Sequence, residues 1–436
     1  MDKKSNLYAM DFIDGDHLEV MQLERMKKII RHAFNNVEFY RNRMRKYNLT
    51  PDSIKTLDDV SKLPFMVKQD LRDTYPFGLL AVPQSEVVRL HASSGTTGKP
   101  IVVAYTKEDL KVWTEVVHRA MANCGLSNSD IVQVSYGYGL FTGGLGAHYG
   151  AEDLGATVVP TSGGNTRRQI MLMRDFGVNA ICCTPSYFIH LIDEAAKTGI
   201  DLRELPIRAG IFGAEPWTAG MRKYVEENAG IEAFDIYGLS EIIGPGVAIE
   251  CPCHDGLHIY EDHFYPEIID PDTGKVLPDG EFGELVLTTL SKYAMPMIRY
   301  RTRDLTRIIP GRCACGRTIR RIDRISSRSD DMFIIRGVNV FPSQIEAALL
   351  NVPGTTPNYM ITLSNEKGMD NVSVEVELSQ EKFNELGDNQ ESFRRQVSAM
   401  VESVTGIRMA LTLVAPGSIP RSEGKAKRVI DNRVRD

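Results

Sequence analysis

The sequence predicts an α/β fold, with a large N-terminal α/β domain followed by a small α+β C-terminal domain. Short apolar runs alternate with amphipathic stretches between residues 131 and 237, which is typical of a layered, mostly parallel sheet. After Glu250 the pattern becomes β-rich, and a polar, charged stretch at residues 324–331 indicates a linker. We therefore place the N-terminal domain at residues 1–327 and the C-terminal domain at residues 328–436.

The individual elements follow from the spacing of apolar side chains. These recur at helical spacing from Leu18 to Ala33, so residues 1–80 are predicted to form a mostly helical lead-in. Residues 280–289 predict the entry to a hairpin. Buried strands are predicted at residues 131–135, 156–159, 180–183, 207–212 and 233–237, and helices at residues 167–176 and 187–197.

The composition narrows the class of protein. The chain has 436 residues, of which 42% are hydrophobic and 25% charged, as is ordinary for a soluble globular protein. Its net charge of -6 argues against nucleic acid or an anionic membrane as a partner. It has neither an apolar signal core nor an apolar run of about 18 residues, so a cytoplasmic protein is expected. Seven cysteines in a reducing compartment suit metal binding better than disulfides.

The loop from Ser93 to Pro100 is the most informative motif. Its glycines let the backbone approach an anion closely, and its hydroxyl and N–H groups can donate to that anion. β-rich runs at residues 87–90 and 101–105 predict a strand–loop–strand arrangement, whereas a Walker loop needs a longer spacing and a following helix. An ordinary polar hairpin is the alternative. The candidate phosphate-binding residues are Ser93, Ser94, Gly95, Thr96, Thr97 and Gly98.

Three further segments carry candidate chemistry. Gly213-Ala214-Glu215-Pro216 and Asp235-Ile236-Tyr237-Gly238-Leu239-Ser240-Glu241 lie at the ends of predicted buried strands, where α/β proteins bind ligands. Tyr237 can stack on a nucleobase and Glu241 can hold a divalent cation, although an ordinary turn would explain either segment alone. Asp304 in Arg301-Thr302-Arg303-Asp304 can accept hydrogen bonds from ribose hydroxyls, and a solvated charge run is the alternative.

Taken in order, these segments resemble the phenylacetate–coenzyme A ligase branch of the acyl-adenylate-forming superfamily. The phosphate loop, residues 237–241 and residues 301–304 match three motifs of that family. Arg328-Ser329-Asp330-Asp331 with residues 336–342 matches its domain hinge and first C-terminal strand, and residues 419–425 match its catalytic-lysine loop. The resemblance runs from about Phe39 to the C-terminus, and five motifs in the same order argue against chance.

The resemblance implies an adenylate-forming fold with a mobile C-terminal domain and a two-step ligase reaction. A carboxylate attacks the α-phosphate of ATP and expels pyrophosphate, and the coenzyme A thiol then converts the acyl-adenylate to a thioester and AMP. ATP, Mg²⁺ and coenzyme A are implied as cofactors, the partners are small-molecule substrates, and a homodimer is left open. Lys425 and Glu241 are implied as catalytic residues, the latter through magnesium, and Asp330 as the hinge. The nucleotide is expected to contact the phosphate loop and Gly213, Ala214, Glu215, Pro216, Asp235, Tyr237, Gly238, Ser240, Asp304 and Arg328.

Three positions depart from the wider superfamily. Lys99 stands before Pro100 with no Lys-Gly pair after it, Arg303 stands where a glycine commonly precedes the ribose aspartate, and Ser240 stands where threonine is usual. These departures resemble the phenylacetate branch rather than a lost site, so an active enzyme is expected. For Lys425, a surface lysine in a basic tail is the alternative.

Two separated Cys-x-Cys pairs and nearby imidazoles are enough for a four-coordinate zinc site. Six candidate ligands compete for about four places: Cys251, Cys253, His254, His258, Cys313 and Cys315. We favour Cys251, His258, Cys313 and Cys315, because His258 falls in a strand-like run that would orient its ring. Cys253 and His254 remain open as ligands. Without a nearby general base, a structural Zn²⁺ is predicted, and free cysteines in a reducing cytosol are the alternative.

The acid is predicted to bind beside Tyr136 and Phe141. Both rings lie in a segment that leaves a predicted strand, where interleaved glycines make room for an aromatic ring, although core packing would explain either ring alone. In this family the pocket takes an arylacetic acid, and these residues do not separate phenylacetate from indoleacetate. Two rival functions remain: an adenylating relative with another acid or acceptor, and a zinc-stabilised nucleic-acid-binding module built on Arg317, Arg320, Arg321, Arg324 and Arg328.

Overall fold

The chain divides into two compact units. A computed structural model describes residues 8–93, 100–325, 327–329, 331–335, 338–366, 369–422 and 424–433. Unit 1 consists of Met1–Cys183, Leu205–Ala214 and Glu232–Arg324, and unit 2 of Thr184–Glu204, Glu215–Ile231 and Ile325–Asp436. Two segments from the middle of the chain are thus grouped with the C-terminal residues, which a single boundary at residue 327 does not capture.

Unit 1 opens with helices, as the apolar spacing predicts. Helix α1 buries Leu18, Met26 and Ile30 on one face, and the Asp14 side chain caps its first turn by accepting a hydrogen bond from the N–H of Asp16 at 3.2 Å. Short 3₁₀ turns lie at Met10–Phe12, Pro51–Ser53, Asp58–Lys62 and Gln84–Glu86. The helices of this unit are α1 (Gly15–Asn36), α2 (Glu38–Lys46), α3 (Lys68–Asp73), α4 (Lys107–Asn123), α5 (Gly143–Leu154) and α6 (Thr166–Phe176).

Among the described residues, the strands of unit 1 occur in three sheets. They are β1 (Arg89–Ser93), β2 (Ile101–Tyr105), β3 (Ile131–Val134), β4 (Thr157–Val159), β5 (Ala180–Cys183), β6 (Ala209–Gly213), β7 (Glu232–Leu239), β8 (Gly244–Glu250), β9 (Leu257–Ile259), β10 (Phe264–Ile269), β11 (Gly283–Thr289), β12 (Tyr300–Thr306), β13 (Ile308–Ile309) and β14 (Arg321–Ile322). β1 pairs with β2, and β10, β11 and β12 form an antiparallel meander.

The largest sheet of unit 1 contains nine strands among the described residues, in the order β13-β14-β9-β8-β7-β6-β5-β3-β4. One part of the sheet is a run of five mutually parallel strands, in the order β4-β3-β5-β6-β7. Antiparallel pairs continue the sheet from β7 through β8, β9 and β14 to β13. The predicted parallel sheet is therefore confirmed. The strand predicted from residue 207 begins at Ala209, where its pairing with Ala180 begins. The hairpin predicted from residue 280 has its strand start at Gly283.

Unit 2 holds the small α+β fold that the sequence predicts. Its elements are α7 (Pro185–Lys197), a 3₁₀ turn (Leu202–Glu204), α8 (Ala219–Ala229), β15 (Ser327–Arg328), β16 (Phe333–Ile335), β17 (Val338–Val340), α9 (Pro342–Leu350), β18 (Thr355–Glu366), β19 (Met369–Leu378), α10 (Gln380–Leu386), α11 (Glu391–Thr405), β20 (Ala410–Val414) and β21 (Val429–Asp431). β15 lies inside the stretch expected to be a linker, and the change from unit 1 to unit 2 between Arg324 and Ile325 falls in the same stretch.

The core of unit 2 lies between its four-stranded sheet and its helices. The sheet order is β20-β19-β18-β21, and Ile345, Val374 and Val397 are fully buried in one apolar cluster with its strands. α8 also packs closely on α9, since a Cβ at Gly220 would lie 2.9 Å from the Cβ of Leu350. Within the described part of the chain, no helix is both long enough and apolar enough to span a bilayer.

Candidate active site

The order of strands in the large sheet reverses at β3. β4 lies on one side of β3, whereas β5, β6 and β7 follow on the other side. Loops that leave the carboxyl ends of parallel strands at such a reversal form the crevice where open α/β sheets bind ligands. The segment that follows β3 carries Tyr136 and Phe141, the predicted acid-pocket residues.

Glycines let this segment fold closely over Tyr136. A Cβ at Gly143 would lie 3.3 Å from Cγ of Tyr136, and a Cβ at Gly144 would lie 2.6 Å from the carbonyl oxygen of Gly137. Tyr136 is buried, with 9% of its surface exposed, whereas Phe141 is 53% exposed. Tyr136 can therefore act only as a buried wall, and Phe141 is the ring that solvent or a ligand reaches. Their assignment to the acid pocket stays a prediction.

A hydrogen bond joins the loop after β3 to the end of β7. The Oγ1 of Thr142 lies 3.0 Å from the Oγ of Ser240, and the next residue is Glu241, which is 6% exposed. The hydroxyl of Tyr300 donates to a carboxylate oxygen of Glu241 at 3.4 Å, and Nζ of Lys68 lies 3.8 Å from that oxygen. The Glu241 carboxylate is thus nearly buried and has a cation beside it. Its oxygens are hard ligands of the kind that Mg²⁺ prefers.

The buried side chain of Lys292 holds the backbone of Glu241 in place. Its Nζ donates to the carbonyl oxygen of Glu241 at 2.9 Å, and the side chain is 1% exposed. Burial lowers the pKa of Lys292 to about 8, against the opposing pull of Asp109 and Glu241. Lys68 and Lys292 were not among the residues predicted from the sequence. Neither lies in a motif, and a lone lysine between Ser291 and Tyr293 gives no signal of burial.

The predicted nucleotide residues Tyr237 and Asp304 lie together. The hydroxyl of Tyr237 donates to Oδ2 of Asp304 at 2.6 Å, and Asp304 is 6% exposed. Thr302 orients the backbone at Asp304, because its Oγ1 accepts from the N–H of Asp304 at 3.1 Å. The N–H of Asp235 donates to Oε2 of Glu250 at 2.8 Å. Residues from β7 and β12 that lie far apart in sequence thus share one edge of unit 1.

Backbone geometry explains several residue types at this edge. A Cβ at Gly213 would lie 2.3 Å from the carbonyl oxygen of Ile236, and one at Gly238 would lie 2.0 Å from that of Gly244, so close strand packing by itself requires glycine there. Arg303 has φ +69°, in the left-handed region of backbone conformation, which glycine adopts with little steric strain. Arg303 therefore keeps the backbone shape that the family's usual glycine adopts readily.

Two predicted segments fall largely outside the described residues. These are Ser94 to Gly98 of the phosphate loop and the hinge residue Asp330. β1 and β2 pair in antiparallel fashion, with Ser93 opposite Ile101, so the predicted strand–loop–strand context is confirmed. Arg328 is described, and its Nε lies 4.0 Å from Oδ2 of Asp331.

The predicted catalytic lysine lies in unit 2, in a loop closed by its own hydrogen bonds. The Oγ of Ser422 donates to the carbonyl oxygen of Lys425 at 3.0 Å and accepts from the N–H of Gly424 at 3.2 Å. The side chain of Lys425 is exposed. Glu215, predicted to contact the nucleotide, accepts from the N–H of Ala426 at 2.8 Å. The structure therefore joins a predicted nucleotide residue to the predicted lysine loop.

Four of the six candidate zinc ligands form one cluster. One ligand atom each from Cys251, His258, Cys313 and Cys315 lies within 4.8 Å of the others. Sγ of Cys251 is 3.6 Å from Sγ of Cys313, and Sγ of Cys315 is 3.3 Å from Nε2 of His258. Cys253 is exposed, and the His254 ring lies 3.1 Å from a carboxylate oxygen of Glu232. The structure thus groups the favoured set and leaves Cys253 and His254 outside it.

The electrostatics of this cluster suit a metal. Burial lowers the pKa of His258 to about 4, so the imidazole is neutral near pH 7, the form that binds a metal. Nδ1 of His258 lies 3.4 Å from the carbonyl oxygen of Ile319, which directs Nε2 toward the cysteines. Burial raises the pKa of the Cys251 thiol, and a bound cation would supply the positive charge that favours its thiolate form. Three sulfurs with one imidazole nitrogen form a donor set that Zn²⁺ fits.

The arginine stretch of the rival nucleic-acid-binding module is largely neutralised by carboxylates of unit 1. Arg317 pairs with Asp11 at 3.1 Å, Arg320 with Glu261 at 2.7 Å, and Arg321 with Asp255. These contacts remove the exposed basic stripe that a nucleic-acid-binding surface needs, so the structure does not favour that alternative.

Comparison with known proteins gives the family. Residues 47–291 match the model of the AMP-binding enzyme family, and residues 337–433 match the AMP-binding enzyme C-terminal domain. A phenylacetate–coenzyme A ligase of Pseudomonas putida is 53% identical over 98% of this chain and 97% of its own length. One from Thermus thermophilus is 48% identical over 97% of this chain and 98% of its own.

Solved structures agree with this result. A 2-hydroxyisobutyryl-CoA ligase in the postadenylation state, bound to an acyl-AMP, matches with TM-score 0.92 and 30% identity over 97% of this chain and 91% of its own. The same enzyme with CoA in the thioesterification state matches with TM-score 0.72. The chain belongs to the AMP-binding enzyme family and, within it, to the phenylacetate–coenzyme A ligases.

Proposed function

We propose that this member of the family is an AMP-forming ligase that adenylates an arylacetic acid, phenylacetate first among such acids, and transfers the acyl group to coenzyme A. Pyrophosphate leaves in the first step and AMP in the second. The observation that carries the proposal is the full-length similarity to phenylacetate–coenzyme A ligases together with the cluster formed by Tyr237, Ser240, Glu241 and Asp304. We place the reaction in the cytoplasm, because it consumes ATP and coenzyme A.

Different residues of unit 1 bind different parts of the nucleotide. The Asp304 carboxylate holds the ribose hydroxyls, and the Tyr237 hydroxyl at 2.6 Å fixes its orientation while the tyrosine ring faces the base. The hydroxyl-rich loop between β1 and β2 donates to the phosphates. Glu241 holds Mg²⁺, whose positive charge offsets the negative charge of the phosphate oxygens when the ion is bound. Lys292 keeps the Glu241 backbone in place.

Lys425 supplies the charge that the first step needs. When the carboxylate of the acid attacks the α-phosphate, negative charge builds up on the phosphate oxygens, and a positioned ammonium group stabilises it. We also propose that the C-terminal residues from 328 form a mobile domain hinged at Asp330, so that Lys425 serves adenylation and is withdrawn for thioester formation.

Cys251, His258, Cys313 and Cys315 are proposed to hold one structural Zn²⁺. Four donor atoms within 4.8 Å of one another and a neutral imidazole support this ligand set. The residues join the end of β8, β9 and the turn before β14, so the bound ion would cross-link parts of unit 1 that lie more than 60 positions apart in sequence.

A related adenylating enzyme with another aromatic acid or another acceptor is the alternative function. Its test is AMP release from ATP and phenylacetate, measured with and without coenzyme A. The proposal requires release that depends on both the acid and coenzyme A. Release with indoleacetate but not phenylacetate would move the assignment to another acid, and release without coenzyme A would point to another acceptor.

Replacing Lys425 should separate the two half-reactions. We expect Lys425→Ala to slow acid-dependent pyrophosphate exchange by about 100-fold or more, since one positioned charge is lost from the first transition state. Thioester formation from supplied acyl-adenylate and coenzyme A should stay close to wild type. Lys427→Ala, an equally exposed lysine two residues away, is the control. Pyrophosphate exchange at the wild-type rate in Lys425→Ala would refute the role.

Metal analysis tests the zinc proposal. Protein purified without chelator should contain about one zinc per chain, and Cys313→Ser should lower zinc content and thermal stability together. A structural zinc contributes about 10 kcal/mol in a small domain and less here, because a large core is already present. Cys253→Ser lies outside the cluster and should leave both quantities unchanged. A stable, fully folded protein without zinc would end this proposal.

The acid pocket is tested with a panel of aryl and alkyl acids. Burying an aryl ring should contribute about 2 kcal/mol. A flexible alkyl chain loses more conformational entropy than a rigid ring when it is ordered in the pocket, so phenylacetate should have a lower KM than hexanoate. Phe141→Ala should shift the preference toward indoleacetate, because it removes the more exposed ring. Phe176→Ala, a comparably exposed phenylalanine on α6, is the control. An unchanged ranking of acids in Phe141→Ala would overturn the assignment of Phe141.

A further inference from the structure

The carboxylate of Glu215 bridges two segments of unit 2. One oxygen, Oε1, accepts from the N–H of Ser186 at 2.8 Å and from the Ser186 hydroxyl. The other, Oε2, accepts from the N–H of Ala426 at 2.8 Å. Ser186 is the second residue of α7, and Ala426 directly follows Lys425. A single side chain thus links the start of a helix to the lysine loop.

The hydrogen bond from the N–H of Ser186 satisfies a group that needs an acceptor. The first N–H groups of a helix have no partner within the helix, and the helix dipole favours a negative charge at that end. Thr184, the residue that caps α7, adds a second link, because its Oγ1 donates to the carbonyl oxygen of Gly424 at 3.1 Å. The residues on both sides of Lys425 are therefore tied to the first turn of α7.

Arg421 anchors the same loop farther along α7. Its guanidinium group pairs with Glu377 of β19 at 2.5 Å and with Asp193 of α7 at 3.0 Å. Glu377 is nearly fully buried, so this pair fixes Arg421 to the C-terminal sheet as well as to the helix. Arg421 thus holds the start of the lysine loop. At the other end the contact is with the backbone N–H of Ala426, and it depends on Glu215.

We propose that Glu215 is a positioning residue that fixes the Lys425 loop for the adenylation step. This inference rests on the proposed function, and it assigns to the Glu215 carboxylate a role in the lysine loop instead of a contact with the nucleotide. A displacement of about 1 Å at a catalytic group can cost about 100-fold in rate, so the hydrogen bond that Glu215 accepts from the N–H of Ala426, directly beside Lys425, is enough to control that step. Glu215 acts only through Lys425 and does not touch the reacting atoms.

The test uses the full-length enzyme and measures each half-reaction separately. In Glu215→Ala, acid-dependent pyrophosphate exchange should fall by about 10-fold to 100-fold, the loss expected from charge-assisted hydrogen bonds that hold a catalytic group. Thioester formation from supplied acyl-adenylate should keep its wild-type rate. Glu215→Gln retains one acceptor and should give a smaller loss, which keeps the test usable if the alanine variant folds poorly. Glu227→Gln, an exposed glutamate on α8, is the matched control.

Native-state trypsin digestion gives a readout that does not depend on activity. Cleavage at Lys425 and Lys427 tracks how often the loop opens, so Glu215→Ala should speed it by about tenfold, while Glu227→Gln should not. Faster cleavage with unchanged exchange would overturn the positioning role, and unchanged cleavage would overturn the tether itself. An equal loss in both half-reactions would mean a general structural role and would also reject the proposal. If the wild-type enzyme showed no acid-dependent exchange, the proposed function would fail, and digestion would still decide the tether.

Discussion

The parallel strands β3, β5, β6 and β7 determine where this protein can do chemistry. Parallel strands place their carboxyl ends on one edge, so the segments that follow β3 and β7 meet although about 100 positions separate them. The hydrogen bond of 3.0 Å between Thr142 and Ser240 is the direct contact between those segments. Glu241 follows Ser240, and Tyr237 precedes it with its bond to Asp304. The positions of these candidate nucleotide and metal residues therefore follow from the register of the sheet.

Unit 2 differs in this respect, because the described residues of the loop that carries Lys425 lie in no helix or strand. The loop takes its position from α7, through Glu215 and Thr184 at one end and through Arg421 with Asp193 at the other. The contacts of this loop with α7 are few and polar, so the position of Lys425 depends on a small number of hydrogen bonds and ion pairs. A loop held in this way suits a lysine that is needed in only one of two half-reactions.

Much of this architecture could be predicted from the sequence, because strands and helices leave periodic signals. The predicted strand at residues 180–183 has the observed bounds, and the four grouped zinc candidates follow from the spacing of Cys-x-Cys pairs and one strand-borne histidine. Contacts made only in the folded state left no such signal. Glu215 and Ala426 are 211 positions apart, and the burial of Lys292 depends on the packing of several segments. The residues from Ser94 to Gly98 and Asp330 lie outside the described residues, so their assignments remain predictions.

The proposed reaction requires that the acid's own carboxylate attack the α-phosphate of ATP. Phenylacetate labelled with ¹⁸O in its carboxylate tests this directly when it is turned over with ATP and coenzyme A. One labelled oxygen should pass to AMP, because the thiol attacks the carbonyl carbon of the acyl-adenylate and the bridging oxygen leaves with the phosphate. Mass spectrometry of the products should find ¹⁸O in AMP and none in pyrophosphate. Unlabelled AMP, or label in pyrophosphate or ADP, would contradict the account.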